Sequence, residues 1–92
     1  MNRDNKNKYH LTLYITNNAP NSQIAKQNLS TLEAACTGSE FEIEIIDVIK
    51  KPELALKDGI YITPALRIEG DETDNLIFGN LSNLDKIKNM FS

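Results

Sequence analysis

The segment Tyr9-His10-Leu11-Thr12-Leu13-Tyr14-Ile15-Thr16 constrains the fold more than any other stretch of this chain. It is rich in β-branched and aromatic residues, which favour extended backbone, and towards its end it carries apolar side chains at odd and even positions alike. Side chains alternate between the two faces of a strand, so this one is apolar on both. Such a strand is stable only inside a sheet covered by helices above and below.

The rest of the chain supplies what that strand requires. Asn17-Asn18-Ala19-Pro20-Asn21-Ser22 breaks the extended run, and Pro20 suits the first turn of a helix, where its missing N–H costs nothing. Ala25, Leu29, Leu32 and Cys36 then recur at helical spacing and form one apolar face, with Gly38 as a stop. Phe41-Glu42-Ile43-Glu44-Ile45 alternates apolar with acidic and continues as Ile46-Asp47-Val48-Ile49, which predicts a second strand polar on one face at its start. Pro52 opens a short helix over Glu53 to Asp58, closed by Gly59. Ala65 to Ile68 and Leu76 to Phe78 read as a third and a fourth strand, joined by an acidic hairpin loop from Glu69 to Asn75. Ser82, with Asp85 three residues on, resembles a capping box for a last helix carrying Leu84, Ile87 and Phe91. The order β-α-β-α-β-β-α predicts an α/β domain with a four-stranded mixed sheet, its parallel part made by crossovers and its antiparallel part by the terminal hairpin. Residues 1–8 bury nothing and are expected to be a disordered tail, leaving residues 9–92 as one domain.

Composition narrows the function. With 92 residues, a net charge of −3 and only two arginines, Arg3 and Arg67, the chain has no basic stripe to displace counterions from a phosphate backbone, so nucleic acid is not an expected partner. No stretch approaches the roughly 20 apolar residues that span a bilayer, and no signal-like segment follows the polar start, so a cytoplasmic, membrane-free protein is expected.

Chemistry-bearing residues are sparse. Cys36 is the sole cysteine, at the far end of its helix and on the apolar face, where it reads as a small core residue. His10 is the sole histidine and has no second ligand or nucleophile paired with it in the pattern. Glu42 and Glu44 lie on one face of their strand and read as a solvated face or as a guard against edge-to-edge aggregation. Glu69, Asp71, Glu72 and Asp74 lack the spacing of a calcium loop. No metal, cofactor or catalytic residue is expected.

The residues resemble the KaiB family in five short motifs that run in one order without gaps. They are Leu13-Tyr14-Ile15 with Pro20-Asn21-Ser22; Ile46-Asp47-Val48 with Lys50 and Pro52; Leu54-Ala55 with Asp58; Thr63-Pro64-Ala65-Leu66; and Gly79-Asn80-Leu81-Ser82-Asn83. The sensor domain of the clock-output kinase SasA is similar too. The resemblance implies a thioredoxin-like fold, with a rearranged C-terminal half as the family's alternative ground state, and Thr63 and Pro64 as cis-proline or fold-switch candidates. Redox relatives of that fold carry two thiols just after the first strand, beside a helix N-terminus that lowers a thiol's pKa. Here the place reads Asn18-Ala19-Pro20-Asn21-Ser22. A non-catalytic module that regulates a KaiC-like ATPase or a signalling kinase is therefore expected, in clock-type or stress-related signalling. Phe41, Glu42, Glu44, Lys50 and Lys57 are the candidate partner-binding residues. A thioredoxin-like oxidoreductase, a stand-alone sensor domain and a self-associating homo-oligomer are the alternatives. Met90 and Ser92 stand where the family commonly has Gly and Asp, Gly70 to Asn75 replaces a Pro-rich basic stretch, and Glu44 replaces a basic residue on the second strand. Met90 favours helix more than Gly does, so the thioredoxin-like form is the expected resting fold.

Overall fold

A computed structural model describes residues 7–91. The elements are β1 (Asn7–Ile15), α1 (Pro20–Ala35), β2 (Ser39–Asp47), α2 (Pro52–Lys57), β3 (Ala65–Glu69), β4 (Asp74–Phe78) and α3 (Leu84–Lys88), followed by a 3₁₀ turn over Asn89–Phe91. The sheet order is β2-β1-β3-β4. β1 pairs parallel with β2 and antiparallel with β3, and β3 pairs antiparallel with β4.

The pleat of β1 sorts the interior into two layers. Leu11, Leu13 and Ile15 face one side with Leu66 and Ile68 of β3, and there meet Ala25, Leu29 and Leu32 of α1, Ile87 of α3 and Phe91. Tyr14 faces the other side and, with Ile46 and Ala65, is covered by Ala55 of α2 and by Ile60. Both faces of the strand are thus buried, as its doubly apolar sequence requires. The second layer is shorter because α2 spans only six residues. Beyond its reach the same face of the sheet shows polar residues: His10 is half-buried, while Glu42, Glu44 and Asp74 are exposed.

Several boundaries differ from the sequence pattern, each for a local reason. β1 begins at Asn7, so Asn7 and Lys8 of the expected tail belong to the strand, and residues 1–6 of that tail lie outside the described residues. β2 ends at Asp47 rather than Ile49. The Asp47 carboxylate accepts from Ile49 N at 2.9 Å and its carbonyl accepts from Lys50 N at 3.1 Å, so a side-chain turn replaces the ladder. α3 is capped by Asn83, whose Oδ1 accepts from Lys86 N at 3.3 Å, and not by Ser82, whose own N–H goes to Asn80 Oδ1 at 3.2 Å. The α-helix stops at Lys88 and tightens into the 3₁₀ turn that brings Phe91 into the core.

The hairpin strands run longer than their apolar residues suggest, and bring Glu69 directly opposite Asp74. Like charges in register oppose pairing. Arg67 on the same face resolves this, bonding Asp74 through Nε at 3.2 Å and Nη2 at 3.1 Å and approaching Glu69 at 3.5 Å.

Candidate protein-binding surface

Where the first strand meets the first helix, the backbone is held by short-range bonds. Thr16 N donates to the buried Ser22 Oγ at 3.1 Å, and Asn17 sits at φ 47°, a left-handed conformation that asparagine tolerates. Across from it the Thr63–Pro64 bond is cis, and the hydroxyls of Thr16 and Thr63 are hydrogen-bonded to each other. Asn18, Ala19, Pro20 and Asn21 occupy this loop and the start of α1, and none can form a thiolate or a mixed disulfide. Cys36 is the residue after α1, half-buried against the main core at the opposite end of that helix. Among the described residues no group of histidine, cysteine and carboxylate side chains is placed to hold a metal ion.

On the α2 face a charged cluster joins four elements. The Tyr14 hydroxyl donates to Asp58 Oδ2, Arg67 Nη1 donates to Asp58 Oδ1 at 2.8 Å, and the rest of the guanidinium spans Asp74 and Glu69. Burial, reinforced by the bond to Asp58, pushes the Tyr14 phenol above its ordinary pKa. The bond to Asp74 holds the Arg67 guanidinium above its usual value, and Arg67 in turn draws the Asp74 carboxyl below the usual carboxylate range. Asp58 is the residue after α2, so this cluster clasps α2 to the sheet. Sequence reading missed it because Tyr14 and Asp58 are 44 positions apart, and only the strand order brings them together.

The candidate partner-binding residues fall in three places. β2 is an outer strand of the sheet. Glu42 and Glu44 are exposed on its α2 face, level with His10 and Thr12 of β1. Phe41 points to the opposite face and is half-buried, with its ring 5.0 Å from Phe91 in an edge-to-face contact and 6.0 Å from Tyr9. Lys50 is exposed in the turn after β2, and Lys57, the last residue of α2, lines a shallow groove with Asp58, Arg67, Asp74 and Leu76. Sequence reading did not single out the exposed apolar residues Ile49, Leu56, Tyr61 and Ile62 around α2, of which Tyr61 is 81% exposed. No periodicity marks them, because three lie outside regular elements.

A β-α-β-α-β-β-α chain with sheet order 2-1-3-4, and a cis-proline facing the start of the first helix, defines a thioredoxin-like protein; this one lacks the paired thiols of the redox members. Solved structures bear out the fold. The N-terminal domain of Synechococcus elongatus SasA superposes with TM-score 0.74 at 22% identity, covering 98% of this chain and 85% of that one. Fasciola hepatica thioredoxin does so with TM-score 0.73 at 15% identity, covering 95% and 84%. The chain belongs to the KaiB family: the KaiB domain model matches residues 12–92. It is 35% identical over 81 residues to the circadian clock protein KaiB3 of a Synechocystis species, covering 88% of this chain and 79% of that protein. It is also 35% identical over 79 residues to the circadian clock oscillator protein KaiB of Thermostichus vulcanus, covering 86% and 73%. Among the described residues no helix is long and apolar enough to cross a membrane.

Proposed function

We propose that this chain is a non-catalytic KaiB-type binding module that regulates a KaiC-like ATPase or a signalling kinase, in clock-type or stress-related signalling. The observation that carries the reading is the combination of an outer strand β2 with a thiol-free loop at the start of α1. A sheet edge offers unpaired backbone donors and acceptors to an incoming strand. The loop stands at the place of a thioredoxin site without its nucleophile, which favours surface recognition as the means of action. Family membership supports the clock-type setting, since the relatives are named circadian clock proteins. The likeness to the SasA N-terminal domain over 98% of this chain favours, as a second reading, a stand-alone sensor domain in a kinase pathway.

Glu42, Glu44, Lys50 and Lys57 are exposed and available to a partner, while Phe41 acts through the position of β2 against the core. Thr63 and Pro64 remain the candidates for the switch between the family's two folds, whose rearranged half would begin after residue 50. The test is a titration of the purified chain against a KaiC-like ATPase ring and against a SasA-type kinase. A stoichiometric complex with either, lost in the Glu42→Lys, Glu44→Lys double variant, is the expected result. Absence of any complex, together with turnover in an insulin-reduction assay, would replace it with the oxidoreductase reading.

A further inference from the structure

We propose that the outer edge of β2 selects a foreign strand in which lysine or arginine alternates with apolar residues, and rejects a second copy of this chain. The proposal rests on the reading of β2 as the docking strand and names the chemistry of what docks there.

The edge is two-sided. Glu40, Glu42 and Glu44 share the α2 face, and Phe41, Ile43 and Ile45 share the other, because side chains alternate along a strand. On the apolar side Ile45 is 47% exposed, although its neighbour in register, Leu13, is fully buried. The helical layer therefore covers β1 and leaves the rim of β2 open, so an incoming strand with an apolar residue beside Ile45 would extend the core by one row. On the acidic side the sheet's own cations neutralise little. Lys8 lies 3.9 Å from Glu40 with both side chains largely exposed, and His10 lies 3.4 Å from Glu44 and is charged only when protonated. Among the described residues Glu42, in the middle, has no ion pair.

These charges decide between occupants. If a second copy paired its β2 antiparallel to this one, a two-fold centred on Glu42 would set Glu42 against Glu42 and Glu40 against Glu44. A two-fold centred on Ile43 would set Glu42 against Glu44. Like charges directly opposite destabilise a pair of strands, and opposite charges stabilise it. An alternating basic strand instead meets three carboxylates on one face and Ile43 and Ile45 on the other. The same glutamates that deter self-aggregation thereby specify the partner.

The experiment uses the full chain and three fluorescein-labelled nine-residue peptides: alternating Lys-Val, alternating Glu-Val, and the Lys-Val composition with its lysines in one block. Fluorescence anisotropy is expected to show saturable binding of the alternating Lys-Val peptide, at least about tenfold tighter than either of the others. Salt weakens it, and amide chemical-shift changes map to residues 39–47. Glu42→Lys with Glu44→Lys is expected to reverse the preference to the Glu-Val peptide, and the milder Glu42→Gln to reduce it while leaving the circular dichroism spectrum unchanged. Equal affinity for the blocked and alternating lysine peptides, or a preference unmoved by Glu42→Gln, overturns the proposal. An ATPase or kinase complex that forms despite such a result overturns only the charge rule and leaves the docking reading standing. Loss of both the complex and the peptide preference removes the docking reading as well.

Discussion

Replacing Arg67 with methionine tests whether the clasp between α2 and the sheet holds the fold together. Methionine keeps much of the apolar stem and removes the charge and every donor. Arg67 is 27% exposed and Asp58 17%, so their 2.8 Å bond is partly shielded from solvent. A hydrogen bond to a charged group under such conditions contributes about 1.5–3 kcal/mol. The bidentate pair with Asp74, 64% exposed on the acid's side, adds little because solvent screens it. Removing the guanidinium also leaves Glu69 facing Asp74 without a bridge, a small further cost at this exposed position. Together the loss is about 2–3 kcal/mol once solvent access is taken into account. For a domain of this size that corresponds to a fall in Tm of about 10–20 °C, read by far-UV circular dichroism. Asp58→Asn, combined with Arg67→Met in a double-mutant cycle, is expected to show a coupling of about 1–2 kcal/mol. A Tm that moves by less than about 2 °C, or two substitutions whose effects simply add, would refute the clasp.

Other outcomes follow from the same geometry. Arg67 depresses the Asp74 pKa in the folded state, so that carboxylate's contribution is present above its ordinary value of 3.8 and is lost as pH falls below it; thermal melts from about pH 5 down to about pH 2 will show this acid loss in the wild type and a smaller one in Arg67→Met. The Tyr14 phenol is shifted the other way, so its contribution is complete below 10.0 and is lost as pH rises past that value, a loss that Tyr14→Phe should abolish in alkaline melts. Gly70→Ala places a Cβ 2.9 Å from Tyr9 Cδ1 and must displace a ring packed 4.8 Å from Phe91, which costs about 1–2 kcal/mol in urea unfolding; an unchanged midpoint would show that the aromatic cluster yields freely. Leu13→Ala, at a fully buried position under α1, is expected to cost about 3–4 kcal/mol by the same assay.

Two neighbouring residues show how position and environment divide the work. Gly79 sits at φ 106° with open space where a Cβ would lie, so its need is conformational, and its N–H donates to Pro64 O at 2.9 Å. Leu81 sits at φ 65°, a conformation costly for a branched side chain, and is held there because that side chain is 97% removed from solvent in the main core. The turn signal at Gly79 was readable in advance; the strained Leu81 was not, because nothing in the pattern of leucines marks a left-handed backbone.

By itself the sequence determined the number, kind and order of the elements, since apolar periods of two and of about 3.6 residues record which face of each segment must leave water. It also determined that no thiol stands beside the start of α1. Only the tertiary structure decided that Asp58, Arg67, Tyr14 and Asp74 form one clasp, that α2 covers just part of its face, and that Ile45 remains at an open rim. Charges and edges of this kind acquire partners through strand order and register, which join residues far apart in the chain, and a local hydrophobic period carries no information about them.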